Sequence, residues 1–348
     1  MQFSLMPARL LKLLVVQSHC SQTVLSQPQE ASPSSTSTTA SSSTVLVDAS
    51  TAKVPMLSVD FPDPSIIQDT DGIWYAFATA SGNKNIQAAR ASSPSGPWTY
   101  LDQDLLPAPG AWTDGRNTWA PDVRILAPGS YVMYYSGELA NSTAFHCIGA
   151  ATASTVLGPY TATAEPFACP LGQGGAIDPA GFYDNTTGHR YVVYKVDGNS
   201  IGHGGSCNND VAPRVPTPIM LQEVSTADGI SHVGDPVQIL DRTAADGPLV
   251  EAPDLIRTAN GTFVLFYSSH CWVSDQYSVS YATAESITGP YQRAAGGPLI
   301  RTGDFNLTAP GGATSVEGGG MMVFHADCAQ GRCMFGAGFE VDGDSVVD

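Results

Sequence analysis

Three carboxylates stand in short proline-containing turns: Asp63 in Phe61–Ser65 (FPDPS), Asp178 in Ala176–Ala180 (AIDPA) and Glu251 in Leu249–Leu255 (LVEAPDL). None has a basic neighbour in the chain to neutralise it. Carboxyls gathered in one pocket repel one another, and burial raises their pKa values further. Such an arrangement suits proton transfer between groups whose pKa values have been driven apart. Splitting a glycosidic bond asks for this: an acid to protonate the leaving oxygen, and a base or nucleophile on the other face of the sugar. An Asp before Pro also simply sets up a turn, as expected of Asp235 before Pro236. The three acids rise above that reading because each recurs at the head of the same kind of unit.

Five such units follow one another, each a short turn, a gap and an aromatic β run. Phe61–Ser65 precedes Ile73–Ala80, and Trp119–Val123 precedes Tyr131–Gly137. Ala176–Ala180 precedes Arg190–Val196, the Glu251 turn precedes Thr262–His270, and Ala309–Ala313 precedes Gly320–Asp327. A second strand is expected after each run: Ile86–Ser92, Cys147–Ser154, Pro218–Ser225, Tyr277–Ala284 and Cys333–Val341. Gly-Pro-aromatic turns at Gly96–Trp98, Gly158–Tyr160 and Gly289–Tyr291 then open a third, outer strand. Small antiparallel sheets repeated in this way predict an all-β fold, a five-bladed β-propeller. A β-sandwich fits less well, since it does not repeat one turn five times. In a propeller the turns before the innermost strands converge at one end of the channel, so Asp63, Asp178 and Glu251 are expected to meet there. Asp122 and Asp254 occupy one slot of the repeat and are expected to serve structure.

With 15 Lys and Arg against 32 Asp and Glu, the 348-residue chain carries −17 charges. Nucleic acid and anionic membrane are therefore poor partners, and a neutral sugar is compatible. The expected domains are a leader over 1–22, a Ser/Thr-rich disordered linker over 23–53 and the propeller over 54–348. The leader has Arg9 and Lys12 before the apolar Leu13–Val16 and reads as a secretory signal, with a misassigned start as the alternative. Its apolar run is too short to span a bilayer. The linker composition cannot bury enough apolar surface to order itself and suits O-glycosylation. Beyond Cys20 there remain six cysteines, an even set without a C-x-x-C spacing, so an oxidising compartment is expected rather than zinc. Cys328 and Cys333 flank a short turn and are the expected bridge. Sequons at Asn141, Asn185, Asn260 and Asn306 agree with secretion. No phosphate-binding loop or dinucleotide fingerprint is present.

The turns FPDPS, Trp119-Ala-Pro-Asp122, Ala176-Ile-Asp178-Pro and Val250-Glu251-Ala-Pro resemble the blade motifs of glycoside hydrolase family 43, the five-bladed arabinanases, α-L-arabinofuranosidases and β-xylosidases. The resemblance runs from about Val59 to Asp327. It implies Asp63 as the general base that activates water and Glu251 as the general acid. It implies Asp178 as the carboxyl that tunes and orients that acid. It also implies inversion, with base and acid roughly 6.5–9.5 Å apart. Many members carry a Gly-His pair at the start of the last blade, where the His lies near a bound calcium. Here Pro310–Thr314 reads PGGAT, so Gly312 replaces that His, and His325 on the following strand is the possible substitute. No cofactor is expected to be required and no metal ligand is assigned; a structural calcium is left open.

Trp119 is a candidate for stacking on a sugar ring, and Asn117 with Arg116 for sugar hydroxyls. His270 and Gln222 are further substrate-binding candidates, and the Gly-rich stretch Lys195–Asn209 is expected to overhang the pocket. The implied activity is inverting hydrolysis of terminal or backbone α-L-arabinofuranosyl linkages of arabinan or arabinoxylan, plant cell-wall polymers, by a secreted monomer. The alternatives are a β-1,4-xylosidase of the same fold and a non-catalytic sugar-binding propeller.

Overall fold

Each aromatic run becomes the second strand of a blade, and the proline turn before it is itself the start of the first. The computed structural model describes residues 43–48 and 52–341, so the leader 1–22 and most of the linker 23–53 lie outside the described residues. In chain order the strands begin with β1 (Val45–Val47). Blade one holds β2 (Ser65–Gln68), β3 (Trp74–Ala78), β4 (Gln87–Ala91) and β5 (Thr99–Leu101). Blade two holds β6 (Trp119–Ala127), β7 (Ser130–Leu139), β8 (Ser142–Ala153) and β9 (Thr161–Ala162). Blade three holds β10 (Ala176–Asp184), β11 (His189–Val196), β12 (Ile219–Val224) and β13 (His232–Leu240). Blade four holds β14 (Val250–Arg257), β15 (Phe263–Ser269), β16 (Ser278–Ala284) and β17 (Gln292–Arg293). Blade five holds β18 (Gly311–Ser315), β19 (Met321–Cys328) and β20 (Gly331–Val341), and β1 is its fourth strand.

The architecture is the expected all-β, five-bladed propeller, with four strands per blade rather than three. The difference lies in the inner strands. Each has a ladder partner on one side only, so Pro121, Pro179 and Pro253 remove no cross-strand bond from the free edge. The innermost strands touch one another in a closed cycle, β2 to β6, β10, β14, β18 and back to β2. Five apolar clusters fill the spaces between neighbouring blades; Phe77, Leu105, Met133 and Tyr135 lie between blades one and two. Each such side chain contributes about 1.5–3 kcal/mol by leaving water.

Val45–Val47 corrects the expected domain start at Val54. Val45 pairs with Val341 and Val47 with Phe339, so the front of the chain completes the last blade and covers the edge that β20 would expose. The Gly-Pro-aromatic turns lie where expected, and their rings share one contact. Trp98 Nε1 donates to Pro94 O (3.2 Å), Tyr160 Oη to Val156 O (3.0 Å) and Tyr291 Oη to Ile287 O (3.1 Å).

Candidate active site

The first strand of each of blades two to five is bulged at its start, where register shifts fall between Trp119 and Asp122, Ile177 and Ala180, Glu251 and Asp254, and Gly311 and Thr314. An extra residue there takes a positive φ and re-aims the side chains around it. The residues concerned are Ala120 (43°), Asp178 (56°), Ala252 (48°) and Gly312 (60°), and Asp63 (52°) matches them in blade one. Asp63 and Asp178 thus share one slot of the repeat, whereas Glu251 sits one position earlier, in register with Trp119. The three acids thus head the same kind of unit without sharing one position in it. They nevertheless line one cavity of about 480 Å³, with Trp119, Trp272 and Arg332 in its wall.

Side chains from the preceding blade hold most of the bulges in place. The N–H of Ala120 donates to Thr79 Oγ1 (2.9 Å), that of Asp178 to Ser136 Oγ (2.9 Å) and that of Gly312 to Ser268 Oγ (2.9 Å). The N–H of Asp63 donates to His325 Nδ1 (3.1 Å), which closes the series around the ring. Thr79 does two jobs, since its hydroxyl also donates to Asp63 Oδ2 (2.6 Å). Blade three differs: the Ala252 N–H donates to Asp178 Oδ2 (2.9 Å), and Lys195 fills the position equivalent to Thr79. Lys195 is fully buried, with Nζ 3.0 Å from Glu251 Oε2 and 3.0 Å from Asp197 Oδ1, the latter an ion contact rather than an aligned hydrogen bond. The acids that lack a basic neighbour along the chain therefore gain one in space: Lys195 for Glu251, and Arg332, whose Nη1 is 3.5 Å from Asp63 Oδ1.

The environment drives two of these carboxyls in opposite directions. Burial alone would raise Asp63, but the Arg332 charge, the His325 imidazole beside it and the bond from Thr79 outweigh it and hold the group well below the usual carboxylate range. Asp178 is raised well above that range, first by burial and then by the neighbouring charge of Glu251, with Lys195 opposing. Two carboxyls of one cavity are thus pushed in opposite directions, Asp63 down and Asp178 up, the kind of separation that acid–base work requires.

The remaining candidates divide. Trp119 lines the cavity, its ring stacked on His146 at 3.5 Å between centroids. Asn117 does not line it; its amide donates to Glu138 and its carbonyl lies 3.2 Å from His146 Nε2, so it supports the stack from behind. Arg116 is exposed and pairs with Asp114. Gln222 lies on β12, the third strand out, and its amide donates to Glu223 O (2.8 Å) and Gly234 O (3.2 Å), so this substrate-binding candidate does not line the cavity. His270 is likewise outside the cavity lining: its ring fills the space over Gly247, where a Cβ would stand 2.4 Å from Nδ1, and Trp272 takes the rim position instead. The stretch after Lys195 does overhang the cavity through Asp197, Asn199, Ser200, Cys207 and Asn208, but Lys195 itself belongs to β11. His146, Tyr277 and Arg332 are lining residues that sequence reasoning missed, and the contact of Lys195 with Glu251 was missed with them.

The position of the calcium-associated His offers a direct fit test. A Cβ on Gly312 would lie 2.8 Å from His325 Nδ1 and 3.1 Å from Asp63 Oδ1, so a larger residue there meets the imidazole that receives the Asp63 N–H. Among the described residues no group of three or more His, Cys, Asp or Glu side chains could hold a metal. The residues present do not fit an ion held through that slot.

The sequence profile of glycosyl hydrolases family 43 matches residues 52–338. The chain belongs to glycoside hydrolase family 43. As a family 43 member it is a glycosyl hydrolase. It is 28% identical over 290 residues to the probable arabinan endo-1,5-alpha-L-arabinosidase A of Aspergillus flavus, covering 76% of this chain and 81% of that protein. It is 26% identical over 286 residues to the extracellular endo-alpha-(1->5)-L-arabinanase 1 of Bacillus subtilis, covering 76% and 79%. In fold it resembles a thermostable family-43 glycoside hydrolase (TM-score 0.67, 22% identity, 84% of this chain and 96% of that one). It also resembles the endo-arabinase of Bacteroides thetaiotaomicron (TM-score 0.65, 17% identity, 84% and 99%).

Proposed function

We propose that this chain hydrolyses α-L-arabinofuranosyl linkages, terminal or backbone, of arabinan-type plant-wall polymers with inversion at the anomeric carbon. The observation that carries the reading is the convergence of Asp63, Asp178 and Glu251 on one cavity, with Arg332 beside the first and Lys195 beside the last. In this reading Asp63 takes a proton from the water that attacks the anomeric carbon, and Glu251 gives one to the departing oxygen. Asp178 holds the backbone turn that carries Glu251, through the Ala252 N–H, and its own carboxyl is raised by burial and by the charge of Glu251. Trp119 and Trp272 offer ring faces to the apolar face of a sugar. The arabinanase names of the relatives support the substrate class.

An extracellular setting is supported by the disulfides Cys147–Cys169, Cys207–Cys271 and Cys328–Cys333, the last of them the expected pair. The four sequon asparagines are all exposed, which agrees. The deciding experiment incubates the secreted protein with nitrophenyl α-L-arabinofuranoside, nitrophenyl β-xyloside and linear arabinan, and follows the first-formed anomer by NMR. Release of inverted arabinose or arabino-oligosaccharides is expected. Preference for the xyloside would transfer the reading to a β-xylosidase, and inertness on all three would leave a sugar-binding propeller.

A further inference from the structure

One position near the end of the second strand recurs in all five blades, occupied by Thr79, Ser136, Lys195, Ser268 and His325. In four blades this side chain accepts the N–H of the next blade's bulge. An ammonium has no lone pair to offer, so Lys195 cannot do so. A serine, as in blades two and four, would fill the slot and complete the series of inter-blade bonds. A wholly buried ammonium is expensive to keep and is held only where charges meet it. Architecture therefore does not account for the lysine. The charges it meets do: Glu251 Oε2 and Asp197 Oδ1, each 3.0 Å from Nζ.

We propose that Lys195 is a positioning residue for the acid step: its ammonium fixes Oε2 of Glu251, leaves Oε1 to face the departing oxygen and, as a fixed positive charge beside the acid, governs the pH dependence of that step. The inference rests on the hydrolytic reading above. The proton passes from Oε1 to the leaving oxygen, while Lys195 keeps its own three. The other charged and titratable groups facing the pair are Asp197 from the blade-three loop, Asp63 from blade one, Tyr277 from blade four, and His325 with Arg332 from blade five. Of these, Lys195 is the cation that lowers Asp178 against the rise caused by burial and by Glu251.

Lys195→Ser is the test, because serine can take the Ala252 N–H as its equivalents do in blades two and four. Its kcat on arabinan is expected to fall about tenfold or more with KM little changed. Nitrophenyl arabinofuranoside, whose leaving group needs little protonation, should lose much less. The alkaline limb of the kcat profile should move up by about one pH unit, since a cation has been taken from the acid pair. Lys195→Arg, which keeps the charge, should leave that limb in place. Asp197→Asn provides a second route should the serine variant fold poorly. It strips the lysine of its other anion, so the limb should move down. An unmoved limb in the folded variants, or equal losses on both leaving groups, would overturn the proposal. Failure of the underlying reading shows separately, as a wild-type protein inert on every glycoside or a Glu251→Gln variant equally impaired on good and poor leaving groups.

Discussion

At the scale of single residues, the site works by giving chemically similar carboxyls dissimilar neighbours. Asp63 faces Arg332, His325 and the Thr79 hydroxyl, and Asp178 faces burial and a second carboxyl. Asp63→Asn should therefore reduce kcat by about 10²–10⁴ on every substrate, because water activation is needed whatever the leaving group. Unchanged turnover in that variant would remove Asp63 from the role of base. Glu251→Gln should behave differently, with arabinan hydrolysis strongly impaired and nitrophenyl arabinofuranoside much less so in parallel steady-state assays. The acidic limb of the kcat/KM profile should lie below the ordinary Asp range, since activity survives until Asp63 is protonated. Arg332→Met removes the largest influence holding that carboxyl down and should move this limb to higher pH. The three acids were legible in the sequence because Pro-linked acids at the heads of repeating units are uncommon as plain turns. Lys195 and Arg332 were not, because each reaches its acid from a distant strand. Yet the aromatic runs, set one above another, end in Thr79, Ser136, Lys195, Ser268 and His325, and the lone lysine is the irregularity that alignment of the repeats would have exposed.

At the scale of elements, strands and bulges decide where these side chains point. Aromatic runs such as Phe263–Ser269 were readable because every residue of that strand is buried, which leaves an unbroken apolar signature. The inner strands were hidden, since four of the five are interrupted near their start by a bulge with Pro or Gly, and each owes its extended state to a single partner. Val45–Val47 was hidden for another reason: a three-residue strand at the edge of a Ser/Thr-rich stretch carries no period, and only the free edge of β20 makes it one. Gln222 and His270 illustrate the same limit, because strand order within a blade decides which side chains reach the channel. The cavity wall is itself an element held from outside. Cys207 lines the cavity and is bonded to Cys271, 64 residues further along, so the blade-three loop is anchored just past the end of β15 in blade four. Changing both cysteines to serine should cost about 2–4 kcal/mol in stability by freeing that loop in the unfolded chain. Calorimetry should show a lower melting temperature, and KM for arabinan should rise more than KM for the nitrophenyl glycoside. An unaltered KM for the polymer would dissociate the loop from substrate binding.

At the scale of the whole molecule, the ring is closed by buried charge as well as by apolar contact. Asp122 Oδ2 accepts the Gly181 N–H (2.7 Å) and Asp254 Oδ2 the Ser315 N–H (2.8 Å), so each ties its blade to the next, as their shared slot suggested. Arg124 lies between them, bonded to Asp122 at 2.7 Å and 3.7 Å from Asp254. Burial is the largest influence on both acids and raises them despite Arg124, Asp254 to about 6. The sign for stability follows. A carboxyl whose pKa is higher folded than unfolded binds extra protons in the folded state between the two values, so stability falls as pH rises through that window. For Asp254 the window runs from the unfolded value near 3.9 up to about 6, and the loss on crossing it is on the order of 2–3 kcal/mol. Asp122 and Asp178 act in the same direction. Asp63 acts oppositely, but its contribution is lost only below the ordinary Asp range. The net charge of −17 adds repulsion that acidification relieves, and salt screens that part without reaching the buried groups. Thermal unfolding in high salt should accordingly give a higher melting temperature in the mildly acidic range than above neutrality. Asp254→Asn, which keeps an acceptor for the Ser315 N–H but cannot titrate, should flatten part of that slope. A slope identical in the variant would mean that Asp254 takes no part in it, and a melting temperature that climbs steadily with pH would show that buried carboxyls do not govern the cohesion of the ring.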